Sequence, residues 1–155
     1  MEFYGDFLTT LHKALREIDK NYLDYDALVI GGSHQPRDIE KILEKIKEAT
    51  KTKRPLLGIC WGHQLCAIQW ARENGIPDAT SEEWGEGTLV VKKRIKLKVG
   101  LHEGESYWNN YEVAIDWEKP KHLFTTQFHP EYQSSIDRPH PLLTEFLIYA
   151  KNHKI

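Results

Sequence analysis

LLGICWGHQL, residues 56–65, is the stretch on which the reading of the whole chain turns. The apolar run LLGI after Pro55 has the length and character of a buried strand, and a helix is expected from about Trp61 to Asn74. Cys60 falls at the junction, bracketed by Gly58 and Gly62. A strand passing into a helix through a tight glycine-flanked turn is the form of a nucleophile elbow, which lifts one side chain above the end of a sheet. The N-terminus of the following helix adds partial positive charge and free N–H groups, which favour a thiolate over a thiol. A packed, inert thiol is the competing reading for any single cysteine. Here the glycine bracket and the change of element favour the nucleophile.

Working outward, the chain alternates between two periodicities. Residues 7–20 carry Phe7, Leu8, Leu11, Leu15 and Ile18 at helical spacing. DALVIGG is a short strand ending at Gly31 and Gly32, and RDIEKILEKIKEATK places Ile39, Ile42, Leu43 and Ile46 on one helical face. HLFTTQFHPE reads as a strand running into a loop, and PLLTEFLIYAKNHK as a closing helix. Strand and helix in alternation predict a parallel sheet with helices packed on it. GTLVVKKRIKLKVGLHEG alternates with period two, so a small antiparallel extension is expected over residues 87–118. The predicted fold is an α/β three-layer sandwich, mainly parallel and flanked by helices. Its 155 residues suit a single domain spanning 1–155.

Composition narrows the function classes. With Lys+Arg 21 against Asp+Glu 23, the chain has no long-range attraction for phosphate backbones, and VKKRIKLK reads as a strand with a solvated face. No nucleic-acid partner is expected. No apolar run approaches the roughly 18 to 20 residues of a membrane span, and MEFYGDFLTTLHK lacks a signal-peptide core, so a cytoplasmic location is expected. Cys60 and Cys66, on and just before one helix, would stand about 9 Å apart along its axis and on different faces, so both are expected as reduced thiols. Neither belongs to a CxxC pair and the eight histidines are scattered, so neither a metal site nor a cofactor is expected.

A nucleophile needs a base and a group to orient it. TTQFHPEY offers His129 with Glu131 two residues on, sharing a side if the backbone stays extended. His129 could then take the proton of Cys60 and return it to a leaving amine while Glu131 holds the imidazole tautomer. On its own, a His-x-Glu pair more often marks a surface turn.

GICWGHQ together with QFHPEY resembles the class I, or triad-type, glutamine amidotransferases. DATSEEW at 78–84, NYEV at 110–113 and FHPEYQSSIDRPHPL at 128–142 are similar to the glutaminase domain of CTP synthase, over about Leu28 to Ala150. The resemblance implies a flavodoxin-like fold and a Cys60–His129–Glu131 catalytic triad that releases ammonia from glutamine. It implies the N–H groups of Gly32 and Trp61 as oxyanion donors, each typically worth about 3 to 4 kcal/mol of transition-state stabilisation. Gly31, beside that hole, and Gln64, Glu83 and the residue before the Tyr-Glu-Val run match substrate-binding positions. A solvated helix-end glutamate is the alternative for Glu83.

Two departures qualify the resemblance. The family's arginine that pairs with the substrate α-carboxylate is replaced by Asn110 in GESYWNNYEV, which removes pairing commonly worth about 1.5 to 3 kcal/mol. His102, Tyr107 and Trp108 could line a remodelled pocket, with packed aromatics as the alternative. The family's glutaminase is also fused to an ATP-binding amidoligase, whereas no GxxxxGK[ST] loop occurs here and one helix alone joins MEFYG to DALVIGG. A free-standing glutaminase-type domain is expected, with a separate synthetase subunit as a possible ammonia acceptor. A hydrolase of another γ-glutamyl amide or nucleotide conjugate, and a non-catalytic subunit that keeps the fold, are the other two classes considered.

Overall fold

The computed structural model describes residues 1–33, 37–73, 122–126 and 129–153. Within them the order is β1 (Glu2–Tyr4), α1 (Thr9–Ile18), β2 (Leu28–Ile30), α2 (Ile39–Thr52), β3 (Leu56–Ile59), α3 (Trp61–Glu73), β4 (Leu123–Thr126) and α4 (Pro141–Asn152). Short 3₁₀ turns cover Tyr22–Asp24 and Pro130–Gln133. The strands form one parallel sheet in the order β1-β2-β3-β4, with Leu28 opposite Leu56 and Gly58 opposite Thr125.

Strands β2, β3 and β4 are buried along their whole length, which is why they read as continuous apolar runs rather than alternating ones. Leu28, Ile30 and Leu56 meet Ile42, Leu43, Ile46 and Leu65 of α2 and α3 on one face. Val29, Leu57 and Ile59 meet Leu11, Leu15, Leu143 and Phe146 of α1 and α4 on the other. The predicted three-layer sandwich is therefore present, with helix boundaries within two residues of expectation for every helix it contains. Strand β1 is the element that sequence periodicity missed. Its three residues are all half-buried at the edge of the sheet that the described residues form, too short a segment to show an alternation. The expected antiparallel extension at 87–118 lies outside the described residues.

Charge and caps hold the ends in place. Arg54 bridges Glu2 of β1 and Asp26, at 2.9 Å each. Helix α4 starts with Pro141 at its first position, and His140 Nδ1 accepts the Leu142 N–H at 3.1 Å.

Candidate active site

Three loops meet at the carboxyl ends of the strands. Cys60 sits at the β3–α3 junction with φ +55°, a left-handed conformation that costs a non-glycine residue about 1 to 3 kcal/mol and that persists only where its surroundings enforce it. Its N–H donates to the Thr126 carbonyl at 2.8 Å, and its own carbonyl accepts the Gln64 N–H at 3.0 Å, opening α3. Gly62 makes this turn possible. A Cβ there would stand 2.1 Å from the Ile30 carbonyl oxygen, so the first turn of α3 lies directly against β2.

His129 leaves β4 in extended conformation, and its ring makes a hydrogen bond with Cys60 on one side and with Glu131 on the other. The His129 Nδ1–Glu131 Oε1 distance is 3.0 Å. The pairing holds for a different reason from the expected one. The backbone does not stay extended: Pro130 begins a 3₁₀ turn through Gln133, and that turn folds the Glu131 carboxylate back onto the ring. Glu131 is only 3% exposed. The hydrogen bond to Cys60, then that to Glu131, raises His129 to about 10 against the opposing effect of burial, so the ring carries its proton at neutral pH. Tyr132 covers one face of the imidazole with ring centroids 5.3 Å apart.

The β2 loop closes the group. A Cβ on Gly32 would lie 3.1 Å from His129 Cε1 and 3.8 Å from Cys60 Cβ, so Gly32 borders both side chains. The Gly31 carbonyl faces Gly5 at the end of β1, within 2.9 Å of where a Gly5 Cβ would stand. No described peptide bond is cis, so the Gly32 N–H points away from the Gly31 carbonyl. Trp61 and Gln64, on the first turn of α3, are both buried. Glu83 and Asn110 lie outside the described residues.

Sequence reading missed the groups that act through the backbone, such as the Thr126 carbonyl under Cys60; no side-chain pattern could have signalled it. It also passed over His63, fully buried and pushed down to about 3 by that burial, whose Nδ1 meets the Thr125 hydroxyl at 3.2 Å and ties α3 to β4. Neither cysteine is in a disulfide, and burial raises the Cys66 thiol well above its usual range, which makes Cys66 a poor nucleophile. Among the described residues no three His, Cys, Asp or Glu side chains gather to hold a metal ion, and no helix is long and apolar enough to cross a membrane.

Comparison with known proteins places this geometry in a family. Residues 8–114 match the family model described as glutamine amidotransferase class-I. The chain is 28% identical to a CTP synthase of Thermosipho africanus over 88% of its own length and 38% of that protein's. It is 30% identical to a CTP synthase of Methanoregula boonei over 84% of its length and 35% of that protein's. It therefore spans little more than a third of the curated relatives it matches. The glutaminase domain of Trypanosoma brucei CTPS, solved with bound acivicin, superposes with a TM-score of 0.67 over 100% of this chain and 96% of that one, at 15% identity, and so shares its fold. The chain belongs to the class I glutamine amidotransferases and is similar within them to the glutaminase domain of CTP synthase.

Proposed function

We propose that this chain hydrolyses the side-chain amide of glutamine to glutamate and ammonia through a thioester on Cys60, as one glutamine amidotransferase-like domain over 1–155. The observation that supports the reading is that the His129 ring hydrogen-bonds to Cys60 and, at 3.0 Å through Nδ1, to the buried Glu131 carboxylate. The attacking form of a cysteine is its thiolate, and His129 is the group beside it that can hold the proton. Sγ adds to the amide carbon, and the carbonyl oxygen becomes an oxyanion stabilised by the N–H groups of Gly32 and Trp61. His129 gives its proton to the departing ammonia, leaving the thioester. The now neutral ring takes a proton from water, whose hydroxide attacks the thioester, and glutamate leaves as Cys60 recovers its thiolate. Glu131 holds the ring throughout and stabilises its charged form.

Gln64, Gly31, Glu83 and Asn110 are proposed for the rest of the substrate site, with Glu83 assigned to the ammonium and Asn110 to the α-carboxylate. An amide in place of a guanidinium weakens that last contact, and this favours a second reading in which the substrate is another γ-glutamyl amide. Ammonia would pass to a separate synthetase subunit, and the free thiol chemistry suits a reducing, cytoplasmic setting. Ammonia release from L-glutamine, measured beside a Cys60→Ala variant, tests the proposal. Release that disappears in the variant supports it. If neither protein releases ammonia while Cys60 is still alkylated quickly at neutral pH, free glutamine is not the substrate.

A further inference from the structure

The segment Tyr4-Gly5-Asp6 does more than end a strand. The Gly31 N–H donates to the Tyr4 carbonyl at 2.9 Å, and the Asp6 N–H donates to the Gly32 carbonyl at 2.7 Å. The peptide units before and after the one that joins Gly31 to Gly32 are thus both held by the same short loop, which brackets it. Gly5 lets the loop come this close: it has φ +98°, and a Cβ there would stand 2.9 Å from the Gly31 oxygen and 3.1 Å from the Gly32 oxygen. The Asp6 carboxylate then fastens the loop from outside. It accepts the Ser33 hydroxyl at 2.9 Å and two guanidinium N–H bonds from Arg37, at 2.8 and 3.3 Å. Arg37 stands two residues before α2, so the carboxylate joins the loop after β1, the Gly31-Gly32-Ser33 turn and the approach to the next helix at one point.

A diglycine turn left to itself has many backbone states, and a peptide flip would carry the Gly32 N–H away from Cys60. An oxyanion donor contributes to rate only when it is aimed before the charge develops. We infer that Asp6 is a positioning residue for the reaction, clamping the Gly31–Gly32 peptide so that the Gly32 N–H is aimed at the reacting carbonyl. This rests on the reading of Gly32 as an oxyanion donor. The clamp works through the Gly32 N–H, a donor to the developing oxyanion, so its loss is expected chiefly in kcat.

The experiment compares wild type, Asp6→Ala and Asp6→Asn. The asparagine keeps an oxygen for Ser33 and one Arg37 N–H. With glutamine, Asp6→Ala is expected to lose roughly 10- to 100-fold in kcat, short of the loss of a donor outright, with KM within about threefold; Asp6→Asn recovers most of the rate. Alkylation of Cys60 by iodoacetamide, which forms no oxyanion, stays within about twofold of wild type in both. The second readout needs no turnover: the backbone amide resonance of Gly32 shifts and exchanges faster in Asp6→Ala, and returns towards wild type in Asp6→Asn. If wild type does not hydrolyse glutamine, the proposed function fails, and the Gly32 resonance still decides the clamp. A Gly32 amide unmoved by Asp6→Ala, a kcat unchanged, or a loss that appears only in KM each overturns the inference.

Discussion

Replacing Gly62 by alanine tests the elbow at its tightest point. The added methyl would stand 2.1 Å from the Ile30 carbonyl oxygen, 2.8 Å from its carbon and 2.9 Å from Ile30 Cβ. Relief to an ordinary contact of 3.4 Å requires a movement of about 1.3 Å, and the obstacle is mainly the backbone of a central buried strand rather than a flexible side-chain end. Overpacking of this kind costs about 1 to 3 kcal/mol, and the rigidity of β2 puts this case at about 3. For a chain of this size the melting temperature should fall by roughly 6 to 12 °C. The start of α3 would shift relative to β4, separating Cys60 from His129, and a misplacement near 1 Å costs on the order of 10²-fold in rate. Gly58→Ala is the internal control, because its nearest contacts are 3.0, 3.0 and 3.1 Å, and a loss of about 1 kcal/mol is expected. Thermal melts followed by circular dichroism, with glutamine hydrolysis alongside, give the answer. A Gly62→Ala protein melting within about 2 °C of wild type, or one no less stable than Gly58→Ala, would refute the account of the turn.

Three further outcomes are expected. Glu131→Gln should keep the fold and lower glutamine hydrolysis by on the order of 10³-fold, seen in kcat, because the amide cannot stabilise a charged His129; a loss below about tenfold contradicts the assigned role. His129, raised by its hydrogen bonds to Cys60 and then Glu131, should titrate by NMR near 10, with Cys60→Ala lowering it further than Glu131→Gln. Because the folded value exceeds the unfolded one, this group's stabilisation is complete below about pH 6.5 and is lost as pH rises through about 10, so the difference in denaturation midpoint between wild type and His129→Gln should shrink over that interval. Phe146→Ala removes a fully buried ring that meets Phe124 edge-on at 5.9 Å, and urea unfolding should show a loss of about 3 to 5 kcal/mol.

Much of this was legible in the sequence because burial and chemistry left separate marks. DALVI, LLGI and the amphipathic helices each bury a continuous face, so periodicity reported them directly. The proposed triad was legible as types at fixed spacings: a glycine-bracketed Cys60, and His129 two residues from Glu131. What spacing could not supply was the path between them. Glu131 reaches His129 through a turn begun by Pro130, and Thr126 holds Cys60 through a carbonyl that every residue possesses. Asp6 was passed over for a similar reason, since its partners Ser33 and Arg37 are 27 and 31 residues away and only the fold brings them near.

The order of the sheet carries a consequence for how the chain is wound. From β1 to β2 and from β2 to β3 the strands step sideways in the same direction, yet α1 lies on one face and α2 on the other. Two crossovers that advance alike over opposite faces have opposite hands, so one of them departs from the right-handed sense that strand twist imposes on nearly all such connections. The terminal strand is the one with least to hold it: three half-buried residues at an edge. Side-chain ties then do what twist ordinarily does, with Glu2 fastened to Arg54 and Lys45, Asp6 to Arg37, and the terminal ammonium to the Leu23 carbonyl. Such an arm opens before the body of the protein does. Amide exchange at Phe3 and Tyr4 should therefore outpace that at Leu57 and Ile59, and warming should release the loop that touches Gly32 while the rest of the molecule is still folded.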